Sequence, residues 1–324
     1  MVETPSSQDD IPILDLGPYM AGEPGALERT AAELRRVCET IGFLIIVNHG
    51  LPAALTEAAF VQSRRFHAQP VEAKSRLSAD AVTCSYIGMR AHTTRASALA
   101  PTRKPNESEC LFIRRRHGHA EMAQDWPADL PGFREDMLAY YDAAEALVRR
   151  MLPLYARALE LPDDYFGPLC DKPLSSLRLN HYPPCDYEAD QYGIAPHTDS
   201  TFLTLLAQGD AAGLQILSRG GGWIDAPVAP DSFVVNTGDL LERWSNGRFR
   251  STPHRASNRE RSAARYSIPY TFHPNADTVI QCLPSCLKPG ETPEHQAVTA
   301  GDYLAWYRSQ NYDHLRDKIP APAG

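Results

Sequence analysis

The chain has 324 residues, 43% hydrophobic and 22% charged, with a formal net charge of −8. A chain of this length and composition can bury a sizeable core, which excludes wholesale disorder and collagen-like structure. The acidic balance argues against a nucleic-acid partner, and no apolar run approaches the roughly 20 residues of a membrane helix. The seven scattered cysteines form no CxxC pair, which favours free, reduced thiols. The first 28 residues contain no Lys or Arg, so we expect no secretory leader and a cytoplasmic protein.

The N-terminal part of the chain predicts short strands alternating with helices. Ile11–Leu16 is typical of a short edge strand. Apolar residues recur at helical spacing over Gly25–Thr40, and Gly42 is expected to end that helix. Phe43–Val47 is a β-branched run typical of a buried strand, and a second helix is expected over Pro52–His67.

The C-terminal half changes to short, strand-like segments. A long amphipathic helix is expected first, over Phe133–Leu159. Asn246-Gly247 predicts a hairpin turn between two strand-like runs, and Thr299 is expected to cap a final helix that runs to Asp317. The predicted strands are Ser176–Tyr182, Ile194–Thr198, Thr201–Ala207, Leu214–Ser218, Gly222–Ala226, Phe233–Thr237, Arg255–Asn258, Arg265–Phe272 and Thr278–Gln281.

These elements predict a mainly β fold with flanking helices. Strands of this number and spacing are typical of a sandwich or a rolled barrel. We expect a single unit over residues 1–324. An N-terminal helix and strand region would cover 10–125, and the double-sheet core would cover 175–275.

A metal-ligand pattern lies within the β-rich half. His197 and Asp199 stand two apart beside a predicted strand, so their side chains point to one face. His254 offers a third ligand. Two His and one carboxylate on one face of a metal form the facial triad of non-haem Fe(II) oxygenases, which leaves coordination positions open for substrates and dioxygen.

Two more pairs of polar residues share the same two-residue spacing. Arg265 and Ser267 would lie on one strand face, where a planar guanidinium beside a hydroxyl suits a carboxylate. Asn180 and Tyr182 would project together from an earlier strand. The coincidence of three such pairs favours one shared site over solvated strand positions.

The residues quoted above resemble a known family. The chain is similar to the 2-oxoglutarate-dependent Fe(II) oxygenases, and more narrowly to the isopenicillin N synthase-like group. The runs that carry the resemblance are HTDSTFLTLLAQGDAAGLQIL, VVNTGDLLERWSNGRFRSTPHRASN and RYSIPYTFHP, with IPILDL and GFLIIVNHGLP near the N-terminus.

The resemblance implies a fold, a set of cofactors and a role for each residue. The fold would be a distorted double-stranded β-helix, or jelly roll. His197, Asp199 and His254 resemble the Fe(II) ligands. The remaining four, Arg265, Ser267, Tyr182 and Asn180, resemble the residues that bind 2-oxoglutarate. The family uses dioxygen, oxidises a small molecule and releases succinate and CO2, and ascorbate is a further reductant that the resemblance allows.

The identity of the substrate stays open. Residues 90–117 contain seven Lys or Arg and two Glu, in a segment that closes over the pocket in the resembled family. This basic segment favours an anionic substrate, with Arg90, Arg95 and Phe112 as candidate contacts, and a merely solvated basic loop is the alternative. Two other functions stay open. One is an iron oxidase of the same fold that takes no 2-oxoglutarate, of the ring-forming or ethylene-forming type, and the other is a silent carboxylate-binding protein. The oligomeric state is not readable from the sequence.

Overall fold

The structure is a computed structural model that describes residues 10–78, 85–94, 104–114, 126–258 and 262–311. Within these ranges the helices are α1 Gly17–Met20, α2 Ala26–Thr40, α3 Ala53–His67, α4 Val71–Ser75, α5 Phe133–Ala158, α6 Asp239–Trp244 and α7 Ala300–Asn311. The strands are β1 Ile13–Asp15, β2 Phe43–Val47, β3 Tyr86–Ile87, β4 Glu109–Arg114, β5 Ser176–Tyr182, β6 Ile194–His197, β7 Leu203–Gln208, β8 Leu214–Leu217, β9 Trp223–Asp225, β10 Phe233–Thr237, β11 His254–Ala256, β12 Arg265–Phe272, β13 Val279–Ile280 and β14 Val298–Thr299.

Two sheets form the core of the fold. The larger has eight strands in the order β1-β2-β10-β7-β12-β5-β4-β3, and the smaller has four in the order β6-β11-β8-β9. The two face each other, because Tyr182 of the larger sheet packs against Ile194 and Ala256 of the smaller. At the other end of the interface, Phe43 meets the His254 ring edge-on at 5.2 Å. The space between the sheets is therefore where side chains from both can meet.

The helices cover the outer face of the larger sheet. The main apolar core joins residues of α2, α3 and α5 to the outward-facing residues of the larger sheet. Leu34 and Val37 of α2 and Met151 of α5 are fully buried in it. Burial of this kind stabilises by about 1.5–3 kcal/mol per large side chain. Among the described residues, no helix is both long and apolar enough to cross a bilayer.

Most element predictions are confirmed within a few residues, including the edge strand, α2, β2, α3 and α5. Thr299 caps the last helix as predicted, since its hydroxyl accepts from the Asp302 N–H at 3.1 Å. The predicted hairpin at Asn246-Gly247 is wrong: these residues follow α6, and both adopt positive φ in the turn that ends it. The sequence did not predict α1, α4, α6, β3, β4 and β14.

Candidate functional site

The three predicted metal ligands come together between the two sheets. His197 ends β6, His254 opens β11, and antiparallel pairing sets these two residues opposite each other. Asp199 follows β6 by two residues. Its Oδ1 lies 3.7 Å from His197 Nε2 and 3.8 Å from His254 Nε2. One ligand atom from each of the three residues lies within 4.8 Å of the others, which is the spacing that a single ion can span.

Hydrogen bonds on the far side of each ligand leave the metal-facing atoms available. His197 Nδ1 lies 2.9 Å from the Ala195 carbonyl, and His254 Nδ1 lies 3.2 Å from the Thr252 carbonyl. A ring that donates from Nδ1 presents its Nε2 lone pair, which is the arrangement that metal-binding histidines adopt. This tautomer leaves both Nε2 atoms facing Asp199 Oδ1.

Two side chains of the larger sheet hold the other oxygen of Asp199. Its Oδ2 accepts hydrogen bonds from Thr204 Oγ1 at 2.6 Å and from Asn236 Nδ2 at 2.8 Å. Thr204 on β7 and Asn236 on β10 are direct register partners. The carboxylate is thereby fixed with Oδ1 turned toward the two imidazoles, a geometry suited to single-oxygen coordination.

Electrostatics place both groups in the protonation states that a cation needs. Burial, together with the nearby His254, lowers the pKa of His197 to about 4. For Asp199, burial alone would raise the pKa of the carboxyl, but His254, His197 and the Thr204 hydrogen bond together hold it below its ordinary value. At neutral pH the imidazole of His197 is neutral and the carboxylate is charged.

The four residues expected to bind 2-oxoglutarate form two adjacent cross-strand pairs. Arg265 pairs with Tyr182, and Ser267 pairs with Asn180, on the neighbouring strands β12 and β5. The Arg265 guanidinium lies 4.7 Å from the centre of the Tyr182 ring, and Asn180 donates to the Ser267 hydroxyl at 3.3 Å. Their two-residue spacing puts all four on the face that looks toward the smaller sheet.

This patch of the larger sheet contains buried polar atoms that have no hydrogen-bond partner among the described residues. Arg265 is only 1% exposed, yet its Nε and Nη1 find no hydrogen-bond partner among the described residues, and neither does Asn180 Oδ1. Buried polar groups are almost always paired, and a guanidinium fork matches a carboxylate. Gly213 and Gly193 close the roll over the patch. A Cβ at Gly213 would lie 3.0 Å from Arg265 Cδ, and one at Gly193 would lie 2.6 Å from Tyr182 Cδ1. The donor set therefore fits a buried dianion such as 2-oxoglutarate.

A second cluster of potential ligands, which the sequence analysis did not identify, lies on the opposite face of the larger sheet. Glu109, His67 and His181 bring their ligand atoms within 4.8 Å of one another. However, Lys74 Nζ donates to both Glu109 oxygens, at 3.0 and 2.8 Å, and the Tyr86 hydroxyl donates to the same carboxylate. Burial would raise the pKa of Glu109, but bonds from His181, His67, Lys74 and Tyr86 lower it. The cationic partner of this carboxylate is thus Lys74.

The candidate substrate contacts fall in different surroundings. The Arg90 side chain is 64% exposed, and its guanidinium binds the Glu107 carboxylate at 2.6 and 2.7 Å. Arg95 lies outside the described residues. Phe112 is half-buried on β4, directly opposite Arg178 of β5. The substrate roles of these residues stay predictions.

Comparison with family models gives two matches along the chain. The model described as the 2OG-Fe(II) oxygenase superfamily matches residues 173–274. The model described as the N-terminal region of the non-haem dioxygenase in morphine synthesis matches residues 11–131. Among characterised proteins, the 2-oxoglutarate-Fe(II) type oxidoreductase hxnY of Emericella nidulans is 31% identical, over 93% of this chain and 90% of that protein.

Solved structures extend the similarity to the fold. A Neurospora crassa protein solved in complex with alpha-KG and thymine has a TM-score of 0.82 and 26% identity, over 95% of this chain and 98% of that one. JOX2 in complex with 2OG, Fe and JA has a TM-score of 0.78 and 26% identity, over 98% of this chain and 92% of that one. The predicted jelly-roll fold is confirmed.

Proposed function

We propose specific roles for the site residues of this chain, which belongs to the 2OG-Fe(II) oxygenase superfamily and is a 2-oxoglutarate-dependent non-haem iron dioxygenase. In the proposal, His197, Asp199 and His254 hold Fe(II) through Nε2, Oδ1 and Nε2. Arg265, Ser267 and Tyr182 bind the distal carboxylate of 2-oxoglutarate, and Asn180 lies near its iron-chelating end. The observation that carries the proposal is the buried Arg265 guanidinium, whose Nε and Nη1 have no hydrogen-bond partner among the described residues.

The chemistry of such a centre divides between the bound groups and the chain. When bound, Fe(II) and 2-oxoglutarate supply the reduction of dioxygen, with loss of CO2, formation of succinate and oxidation of a substrate. The protein residues bind and orient. Thr204 and Asn236 fix the Asp199 carboxylate, and the backbone carbonyls of Ala195 and Thr252 fix the two rings. The closed end of the roll around Arg265 excludes water from the co-substrate carboxylate.

The assay that tests these roles measures succinate formed from 2-oxoglutarate by the Fe(II)-loaded protein. His254→Ala removes one of three ligands and should abolish turnover and weaken iron binding without unfolding the chain. Arg265→Lys keeps the charge but loses the planar fork, so the KM for 2-oxoglutarate should rise about tenfold to hundredfold.

The same assay separates the rival functions. An iron oxidase that takes no 2-oxoglutarate would consume dioxygen without forming succinate, and its rate would not depend on the 2-oxoglutarate concentration. A silent binding protein would retain 2-oxoglutarate and turn nothing over. Full iron-dependent activity in His254→Ala would contradict the ligand assignment.

The substrate class and the cellular compartment are two further proposals. A small-molecule substrate is supported by the thymine and JA in the complexes of the similar structures. A reducing, cytoplasmic setting is supported by the free thiols of the cysteines within the described residues, such as Cys38 and Cys170.

A further inference from the structure

A third cross-strand pair lies on the same inner face as the co-substrate residues. Arg178 stands two residues before Asn180 on β5, so its side chain leaves the strand on the same side. Its direct partner on β4 is Phe112, and its guanidinium lies 5.3 Å from the centre of that ring. We name Arg178 and Phe112 the 178 pair.

The 178 pair is too far from Arg265 to share one molecule of 2-oxoglutarate. Arg178 and Tyr182 are four residues apart on β5, which is about 13 Å along a strand. The two guanidiniums do not approach each other along the strand, because Arg265 lies over the Tyr182 ring and Arg178 lies over the Phe112 ring. The extended co-substrate has four C–C bonds of about 1.5 Å each and, with its terminal oxygens, spans only about half of that separation. Strand register sets Thr204, a donor to Asp199, level with Ser176 of β5, so the triad and the 178 pair lie toward the same end of that strand, away from Arg265.

Several cationic or imidazole side chains lie around the 178 pair. The Arg114 guanidinium lies 4.6 Å from the centre of the Phe112 ring, so two guanidiniums share one aromatic side chain. An Arg178 nitrogen lies 3.4 Å from His92 Nε2. Burial, together with Arg178 and His197, lowers the pKa of His92 to about 3.

This level is also open to solvent, unlike the co-substrate pocket. Arg178, Phe112 and Arg114 are all partly exposed, whereas Arg265 is 1% exposed. A molecule that enters between the sheets meets this cationic level beside the triad. The flat faces of the guanidinium and the phenyl ring suit a planar ligand, and the Arg fork suits two coplanar oxygens.

We propose that Arg178 is the specificity-determining residue for the substrate, a planar small molecule that carries a carboxylate. The inference rests on the proposed function, since it takes Fe(II) at the triad and 2-oxoglutarate at Arg265 as given. It also moves the anion-binding role from the exposed Arg90 to an arginine on the inner face of the roll.

The experiment uses paired probes on the full chain loaded anaerobically with Fe(II) and saturated with 2-oxoglutarate. Titration calorimetry gives the Kd of benzoate and of benzamide, which have nearly the same shape and differ in charge. Cyclohexanecarboxylate tests planarity. We expect benzoate to bind at least tenfold more tightly than benzamide, because one charge-assisted fork contributes about a tenfold to hundredfold effect. Benzoate should also bind more tightly than cyclohexanecarboxylate.

The variants decide which residue makes the difference. Arg178→Met should reduce the benzoate preference to about twofold or less, Arg178→Lys should keep part of it, and Arg178→Gln replaces the Met variant if that one unfolds. Arg134→Met, which removes a guanidinium stacked on Trp126 at 5.6 Å, is the matched control and should keep the preference.

Each failure has a distinct signature. Equal or absent binding of benzoate and benzamide by the loaded wild type overturns the inference, and so does an undiminished preference in Arg178→Met. A wild type that fails to bind 2-oxoglutarate with Fe(II) refutes the proposed function instead, so 2-oxoglutarate binding is measured first in every variant.

Discussion

Replacing Arg265 with Met should stabilise the unliganded protein while abolishing its response to 2-oxoglutarate. The buried guanidinium has two nitrogens without partners among the described residues, and each such buried donor costs about 1–3 kcal/mol. The substitution also loses the stacking of Arg265 on Tyr182, about 2 kcal/mol for a desolvated pair. The net gain in the free energy of unfolding is therefore about 2 kcal/mol.

Urea unfolding of the apoprotein measures this gain, with Arg134→Met as the control arginine. Unfolding of the metal-loaded protein is then repeated with 2-oxoglutarate at about 100 times its Kd. The wild type should gain about 2.7 kcal/mol under that condition and Arg265→Met should gain nothing. An apo variant less stable than the wild type by more than about 1 kcal/mol would refute the idea that Arg265 destabilises the unliganded protein in order to bind 2-oxoglutarate. A variant still stabilised by 2-oxoglutarate would refute the assignment itself.

Three further changes test the surrounding residues. Lys74→Met leaves the buried Glu109 carboxylate without its cation and should lower the free energy of unfolding by about 3–5 kcal/mol. The double variant that also carries Glu109→Gln should recover most of this loss. Equal losses in the single and double variants would contradict the ion pair. Thr204→Val removes a donor to Asp199 and should weaken Fe(II) binding about tenfold to hundredfold, and an unchanged affinity would show that the carboxylate needs no such support. Burial raises the pKa of Glu242 from 4.5 to about 7, so this group stabilises the fold below pH 4.5 and loses that contribution as the pH rises through 7. Glu242→Gln should therefore flatten the pH dependence of urea unfolding between about pH 5 and 8. An unaltered slope would show that Glu242 does not cause this pH dependence.

The sequence indicated which candidate residues lie together because they are spaced two residues apart. In a strand this spacing puts His197 with Asp199, and Arg265 with Ser267, on one face without any knowledge of the partner strands. The register that sets Arg265 opposite Tyr182 is a long-range property. The resemblance indicated that Tyr182 and Arg265 share a ligand, but the register itself came from the structure.

The errors have local physical causes. Asn246 and Gly247 adopt the positive φ that a hairpin turn requires, but the end of a helix makes the same demand. Strand β4 was not predicted because its apolar run, Cys110–Ile113, is short and does not alternate, and because Glu109 is a charged residue at a buried position, where it pairs with Lys74. Arg178 was missed because an arginine within a strand is typical of a solvated position, and its pairing with Phe112 depends on the placement of β4.

The location of iron tests the central claim most directly, because the chain contains two clusters able to hold a metal ion within its described residues. Crystals grown anaerobically with one equivalent of Fe(II), measured on both sides of the iron absorption edge, give the position of the ion by anomalous scattering. We expect one peak, bounded by His197, Asp199 and His254. A peak at the second cluster, beside Glu109 and Lys74, with none at the triad would contradict the account.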